Sequence, residues 1–80
     1  MSYYVYMLKS QGIKSITYVG YTNNIKKRLV LHNSGKGAKF TRGRKWKLIY
    51  LEKYKTKKDA ISREHYIKKN RKLRNTIKSK

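Results

Sequence analysis

Two stretches decide the fold of this chain: Tyr3-Tyr4-Val5-Tyr6-Met7-Leu8 and Ser15-Ile16-Thr17-Tyr18-Val19-Gly20-Tyr21. Both are rich in the β-branched and aromatic residues that strands favour. Gln11-Gly12 lies between them and supplies a turn, so the pattern predicts a hairpin. Alternation leaves apolar side chains on both faces of the first stretch, and we expect the sheet to be covered on both sides. Tyr6 and Tyr18 are then expected to meet across neighbouring strands.

A short helix is predicted next, because Ile25, Leu29 and His32 follow the i, i+4, i+7 spacing of one helical face. Its ends carry residues typical of caps and left-handed backbone: Asn23 or Asn24 at the start and Asn33-Ser34-Gly35 at the end. The following segment, 36–45, has no strand or helix period and is expected to form an ordered loop facing phosphate groups. Its basic residues are the candidate nucleic-acid-binding residues: Lys36, Lys39, Arg42, Arg44 and Lys45.

A third strand is predicted over Trp46–Tyr54, where alternation puts four residues on one side: Trp46, Leu48, Tyr50 and Glu52. Thr56-Lys57-Lys58-Asp59 then matches the capping pattern that opens a helix. The inner positions of that helix are Ala60, Ile61, Glu64 and Ile67. Beyond Lys68 almost every residue is Lys, Arg or Asn, so residues from about 69 to 80 are expected to form a basic tail that extends the helix or frays.

Charge bounds the partners of this 80-residue chain, in which 23 Lys and Arg against 3 Asp and Glu give a formal net charge of +20. Such a charge disfavours the compact state unless a polyanion neutralises it, so nucleic acid is the expected partner. No run approaches the ~20 residues of a membrane span and none resembles a signal peptide, so we expect a cytoplasmic protein without a membrane partner. The length fits one domain, 1–80, with a small core. The absence of cysteine excludes disulfides and cysteine-based zinc sites.

Arg28 and His32 stand one helical turn apart and project from one face. A guanidinium binds phosphate through planar, permanently charged donors, and a neutral imidazole can accept a proton near pH 7. Both residues also have ordinary interpretations, Arg28 as a solvated or DNA-contacting charge and His32 as a structural histidine.

Glu64 is one of only three acidic residues, and Asp59 already has a capping role. A carboxylate on the inner face of a helix needs a partner in so basic a protein. That partner is either an ion-pairing residue, Arg28 or a neighbouring lysine, or a divalent cation that bridges to phosphate.

Tyr6 and Tyr18 are either core aromatics or phenols placed for chemistry. Gly20 at the end of its strand permits close approach of another group, although a turn glycine would look the same.

The order of these motifs resembles the GIY-YIG nuclease superfamily over nearly the whole chain. Its small single-domain YhbQ-type members and the Slx-type structure-specific endonucleases are the most similar. The segments that carry the resemblance are Tyr4-Val5-Tyr6, Thr17-Tyr18-Val19-Gly20-Tyr21-Thr22, Lys27-Arg28-Leu29, the run from His32 to Lys39 with Thr41 and Trp46, and Ala60-Ile61 with Glu64.

The resemblance implies an α/β (α+β) fold in which a three-stranded antiparallel sheet is flanked by helices. It also implies a divalent-metal-dependent DNA endonuclease, using Mg²⁺ or Mn²⁺, that is structure-selective or weakly specific. The residues carried over as catalytic are Tyr6, Tyr18, Arg28, His32 and Glu64, with Glu64 as the metal ligand and Tyr18 or His32 as the group that orients or deprotonates water.

The first motif departs from the family pattern by reading Tyr-Val-Tyr, although its terminal tyrosine survives as Tyr6. Tyr21 stands where several relatives carry a lysine, and the asparagine that follows the glutamate in those relatives has no clear counterpart. A non-catalytic nucleic-acid-binding module and a subunit that needs a specificity-giving protein partner are the alternatives. Repair, recombination, DNA uptake and phage defence all fit such activities.

Overall fold

The computed structural model describes residues 2–79 as a three-stranded antiparallel sheet with helices on both faces, which confirms the expected fold class. The strand order is β2-β1-β3, so the first strand is central. The elements are β1 (Tyr3–Ser10), β2 (Thr17–Thr22), α1 (Ile25–Asn33), a 3₁₀ turn (Lys39–Thr41), β3 (Trp46–Tyr54), α2 (Lys57–Lys69) and α3 (Arg71–Lys78).

The predicted hairpin is confirmed, with β2 beginning two residues later than expected. Tyr6 lies opposite Gly20 and Leu8 opposite Tyr18 in the β1–β2 register. The connection needs a residue that tolerates positive φ, because Gly12 has a φ of 119°. β1 is thus paired along both edges, and its side chains define the two cores of the protein.

Each face of the sheet is covered by its own apolar cluster, as the sequence predicts. On one face, buried β-strand side chains pack against α1: Tyr6, Leu8 and Trp46 against Ile25 and Leu29. On the other face, a second set packs against α2 and α3: Val5, Met7 and Val19 against Ala60, Ile67 and Ile77. Because burying one such side chain stabilises the fold by roughly 1.5–3 kcal/mol, a core of this size leaves a modest margin.

A β-bulge interrupts β3 and corrects one prediction. Leu8 and Met7 of β1 pair with Leu48 and Tyr50 of β3, which leaves Ile49 as an extra residue. An extra residue reverses the faces of the side chains that follow it, because strand side chains alternate with a period of two. The prediction that four residues share one face is therefore wrong: Trp46 and Leu48 pack in the α1 cluster, whereas Tyr50 packs in the other cluster and Glu52 contacts α2.

The caps of α1 and α2 follow the sequence signals. The side chain of Asn24 accepts a hydrogen bond from the Lys27 amide at 3.1 Å, and Gly35, with a φ of 80°, lies just past the end of α1. The Thr56 hydroxyl accepts from the Asp59 amide at 3.1 Å and begins α2. These caps satisfy amides that the helices themselves leave unpaired.

The C-terminal segment is a third helix, so the expectation of a basic tail from about residue 69 is wrong for the described part of that segment. Asn70 ends α2 and begins α3, where its side chain accepts from the Leu73 amide at 3.0 Å. Leu73 and Ile77 are four residues apart and share one helical face, which packs against the α2 side of the sheet. Lys80 lies outside the described residues.

Candidate active site

A chain of buried hydrogen bonds links the sheet to the loop after α1. The Tyr6 hydroxyl lies 2.9 Å from Nε2 of His32, and Nδ1 of His32 lies 2.9 Å from the Thr41 hydroxyl. Tyr6 is 2% exposed, His32 1% and Thr41 0%. The three side chains come from β1, α1 and the 3₁₀ turn, so the site is assembled by tertiary packing.

The direction of these bonds follows from the Thr41 hydroxyl, which donates its only proton to the Ala38 carbonyl at 2.8 Å. The Thr41 oxygen must therefore accept the Nδ1–H of His32, which leaves Nε2 as the acceptor for the Tyr6 O–H. Burial, with a smaller effect from the Arg28 charge, lowers the pKa of His32 and keeps the ring in this neutral form. Both ring nitrogens of His32 are thus occupied, Nδ1 by Thr41 and Nε2 by the Tyr6 hydroxyl.

Gly20 is required by the position of the Tyr6 phenol. A Cβ at this residue would lie 2.6 Å from Oη of Tyr6, 2.8 Å from its Cζ and 3.2 Å from Cε2 of Tyr18. No side chain can occupy that space, so the glycine allows the Tyr6 ring to lie flat across the neighbouring strand. The packing interpretation of Gly20, weighed against a turn glycine, is the one that the structure supports.

The loop that supplies Thr41 is held at its far end by Asn33 and Trp46. The Asn33 side chain donates to the Trp46 carbonyl at 3.2 Å and accepts from its amide at 2.6 Å, while the Trp46 indole donates to the Thr41 carbonyl at 2.9 Å. A Cβ at Gly37 would lie 2.4 Å from Nδ1 of His32, so this glycine lets the loop pass close to the imidazole. The expected ordered loop is present, and its hydrogen bonds hold Thr41 beside His32.

The two inward carboxylates have opposite surroundings. Glu52 accepts from Tyr50, from Tyr54 at 2.6 Å, and from Arg63 at 2.9 and 3.1 Å. Burial opposes ionisation of this carboxyl, but the hydrogen bonds outweigh it and lower its pKa. Glu52 is thus a structural residue whose hydrogen-bonding capacity is filled.

Glu64 is 8% exposed, and its closest charged partner is Lys68, with Nζ 3.7 Å from Oε2. This pair corresponds to the neighbouring lysine considered for Glu64 in the sequence. It is longer than a hydrogen bond and leaves the carboxylate oxygens free to bind another group.

An open cavity of about 420 Å³ brings the predicted site residues together. Tyr6, Tyr18, Gly20, Arg28 and Glu64 all line it, whereas His32 lies behind Tyr6. The rings of Tyr6 and Tyr18 are 6.4 Å apart, which confirms that they meet. The remaining lining residues are Tyr3, Tyr21, Thr22, Asn23 and Lys57.

Both phenols are held neutral at rest. Burial is the main cause that raises the pKa of Tyr6 and of Tyr18, and the charge of Glu64 raises both further, while that of Arg28 opposes the shift. The Tyr6 O–H donates a hydrogen bond to His32, and the remaining lone pairs of its oxygen can accept a hydrogen bond from water.

The donor set fits a hard divalent cation held mainly by its substrate. Among residues 2–79 there is no group of three or more His, Cys, Asp or Glu that could enclose an ion. Magnesium commonly binds through one or two carboxylates together with water and phosphate oxygens, and manganese also prefers oxygen ligands. Glu64, with its oxygens open to the cavity, matches that requirement and does not match an all-protein zinc site.

Two residues of the site were assigned no role from the sequence, one that contacts His32 and one that lines the cavity. Thr41 contacts His32 through an irregular loop, and only its place in the family-like motif singles it out. Lys57 lines the cavity beside Tyr21, the position at which several relatives carry a lysine. The five predicted nucleic-acid-binding residues of the loop are all exposed: Lys36, Lys39, Arg42, Arg44 and Lys45.

Fold and site together define a GIY-YIG domain. The model of the GIY-YIG catalytic domain family matches residues 2–78, and the chain belongs to that family, whose members are in general nucleases. Nucleases of this family generally use divalent metals and bind nucleic acid. Within residues 2–79, no helix has the length and apolar character needed to cross a membrane.

The relatives are small proteins of the UPF0213 group. The chain is 52% identical over 67 residues to a UPF0213 protein from Clostridium perfringens, covering 82% of this chain and 70% of that protein. It is 51% identical over 69 residues to one from Bacillus licheniformis, covering 85% and 69% respectively. The solution NMR structure of a UPF0213 protein from Bacillus halodurans is similar at a TM-score of 0.59 and 34% identity, covering 99% of this chain and 84% of that one. These names specify no activity or substrate.

Proposed function

We propose that this protein is a divalent-metal-dependent endonuclease that cuts DNA. The observation that carries the proposal is the shared cavity of Glu64, Arg28 and the two phenols, in which Glu64 retains free carboxylate oxygens. In contrast, Glu52 is fully occupied by a structural ion pair. The only close charged partner of Glu64 among the described residues is Lys68, beyond hydrogen-bond distance, so the carboxylate can also bind a divalent cation.

Tyr6 is the residue that activates water in this proposal. Its oxygen accepts a hydrogen bond from a water in the cavity and orients that water towards phosphorus. As the water oxygen bonds to phosphorus, its proton passes to the Tyr6 oxygen and the phenol proton passes to Nε2 of His32. The bond from phosphorus to the leaving oxygen breaks, and that oxygen takes a proton from solvent.

His32 and Thr41 act through Tyr6. The Thr41 hydroxyl fixes the tautomer that exposes the Nε2 lone pair, in the way that a third group orients the base of a catalytic triad. Tyr6 and His32 are both neutral at rest, so Nε2 of His32 can accept the phenol proton as the bond to phosphorus forms. Tyr18 is the second phenol in contact with the cavity and positions the same phosphate.

Arg28 stabilises the negative charge that develops on the phosphate, and a divalent cation held by Glu64 would add to this effect. Arg28 supplies fixed planar donors, and a cation held by Glu64 would act as a Lewis acid on a phosphate oxygen. Tyr6 is buried and already hydrogen-bonded to His32, so this part of the site needs little rearrangement during the reaction.

The basic surface outside the cavity contributes to the affinity for DNA but does not select a DNA sequence. The exposed lysines and arginines of the loop after α1 provide phosphate contacts, and phosphate contacts carry no sequence information. Because one small module offers few side chains to the bases, we propose structure-selective or weakly specific cutting.

The test compares Glu64→Gln with Asp59→Asn on labelled duplex, single-stranded, flap and branched DNA, with Mg²⁺, Mn²⁺ or EDTA. Both substitutions remove one negative charge from α2, but Asp59 is exposed and outside the cavity. We expect Glu64→Gln to lose cutting by roughly 10²-fold or more while binding DNA as tightly as the parent. Asp59→Asn should cut normally.

Metal-dependent cutting that requires Glu64 supports the nuclease. If Glu64→Gln cuts as fast as Asp59→Asn, the proposed metal ligand is wrong. If the parent binds every substrate tightly and cuts none, the protein is instead a binding module or a subunit that needs a protein partner.

A further inference from the structure

Phe40 is an exposed aromatic residue with no structural partner on its outer side. It lies in the 3₁₀ turn beside the half-buried Tyr18 and the buried Trp46. Its ring centroid is 6.0 Å from that of Tyr18, at an interplanar angle of 27°, and 6.5 Å from that of Trp46. Yet 58% of Phe40 remains exposed. Tyr66 is exposed to a similar extent, but Arg63 covers its ring at 5.1 Å.

The ring of Phe40 borders a shallow groove of about 330 Å³ that is basic at its other edge. Lys68 of α2 and Arg74 of α3 line that edge, and no carboxylate lines the groove. The Arg74 guanidinium is held by the carbonyls at the end of α2, including that of Ile67 at 3.0 Å. This anchoring keeps the cation beside the groove rather than free in solvent.

The groove continues into the candidate active site. Tyr18 lines both the groove and the cavity, and Lys68 lies 3.7 Å from Glu64 while lining the groove. A strand that contacts Phe40 can therefore continue past Tyr18 towards the cavity.

We propose that Phe40 stacks with one unpaired base of the DNA substrate, next to the phosphate that is cut. The inference rests on the proposed function, whose substrate class it narrows to DNA with a single-stranded element. A flat apolar ring beside two cations matches the alternation of bases and phosphates in a single strand. In a duplex the bases are hidden in the stack, so the ring would face only backbone.

The groove thus binds a single DNA strand and does not recognise the shape of the double helix. Lys68 and Arg74 hold the phosphates that flank the stacked base, while Phe40 contributes an interaction that tolerates any base. Discrimination between single and double strands therefore arises without sequence readout.

Binding is measured in EDTA, so that the result does not depend on whether the protein cuts. Fluorescently labelled single-stranded and duplex oligonucleotides are titrated with the parent protein, Phe40→Leu, Phe40→Trp and Val30→Ala. Leucine keeps apolar contact with Tyr18 but removes the π face, tryptophan keeps the π face, and Val30 is an exposed apolar residue that lines none of these surfaces.

We expect Phe40→Leu to weaken single-strand binding by roughly 5- to 100-fold, the effect of losing one base–aromatic stack, and to leave duplex binding unchanged. Phe40→Trp and Val30→Ala should bind like the parent. Equal loss on both DNA forms, or no loss on the single strand, overturns the proposal.

A second measurement uses the unaltered protein, so it remains valid if a variant unfolds. A single strand carrying one photoreactive uracil is irradiated in complex with the parent, and the modified peptide is mapped. A cross-link at Phe40 supports the stack, and cross-links confined to other residues contradict it. A protein that binds the single strand through Phe40 but never cuts would overturn the proposed nuclease, while the stack between Phe40 and an unpaired base would stand.

Discussion

Replacing Gly20 by alanine tests whether the Tyr6 phenol must lie flat across β2. In a strand, alanine is normally favoured over glycine by roughly 0.5–1 kcal/mol, so an open site would gain stability from Gly20→Ala. Here the new methyl carbon would lie 2.6 Å from Oη of Tyr6 and 2.8 Å from its Cζ. The structure therefore predicts a change of the opposite sign.

The magnitude follows from two costs. Tyr6 is 2% exposed, so its ring cannot move without overpacking the α1 cluster, which costs about 1–3 kcal/mol. Movement of the hydroxyl also breaks its bond to His32 and leaves Nε2 buried without a partner, at a cost of about 1–3 kcal/mol. After the gain from alanine is subtracted, we expect a net loss of about 1–5 kcal/mol in the free energy of unfolding.

Urea unfolding measures this loss through the fluorescence of Trp46, the single tryptophan, which is 3% exposed. A double-mutant cycle with Tyr6→Phe provides the control. Removing the hydroxyl relieves the closest contact, so the loss from Gly20→Ala should be smaller in the Tyr6→Phe background. Cutting should fall with the displacement of Tyr6. If Gly20→Ala is as stable and as active as the parent, the account of this glycine is refuted.

Four further changes probe the relay, the cavity and the structural ion pair. Thr41→Val should cost about 1–3 kcal/mol in urea unfolding by leaving Nδ1–H of His32 without an acceptor, whereas Thr41→Ser keeps the hydroxyl and should lose less. Because the fold lowers the pKa of His32 below its ordinary 6.5, the free energy of unfolding should be flat above that pH and fall as the pH drops below it. Urea titrations at several pH values check this, and a flat profile contradicts it. Lys57→Ala should slow cutting roughly tenfold without changing stability, since a cation lining the cavity would contact phosphate. Glu52→Gln should lower the melting temperature, with a loss of about 1–3 kcal/mol, because Arg63 loses a charged acceptor.

Local patterns in the sequence predicted the strands and the first two helices. The β-rich runs, the cap at Thr56 and the end of α1 near Gly35 each depend on neighbours within a few residues. The bulge at Ile49 does not, because it is defined by the register between β3 and β1. The third helix was not predicted because Leu73 and Ile77 are the only apolar residues of a basic segment. These two residues stabilise the helix by packing in the α2 side of the core, a contact that local sequence does not reveal.

The candidate site divides in the same way. Tyr6, Tyr18, Arg28 and Glu64 were named from motif order, and the fold brings all four to one cavity. The Thr41 bond to His32 spans nine residues through an irregular loop, so no periodicity marks it. The exposure of Phe40 likewise depends on how that loop packs over Tyr18 and cannot be read from local sequence.

The ion pair between Glu52 and Arg63 has a consequence for Glu64, the next residue along α2. Successive side chains of an α-helix point about 100° apart around its axis. Arg63 is held to β3 by two hydrogen bonds, which resist rotation of α2 about its own axis and so help to fix the direction of Glu64. The direction of the Glu64 carboxylate in the cavity therefore depends on the ion pair between Glu52 and Arg63, which lies outside the cavity. A substitution that loosens this contact would misdirect Glu64 without changing any residue that lines the cavity.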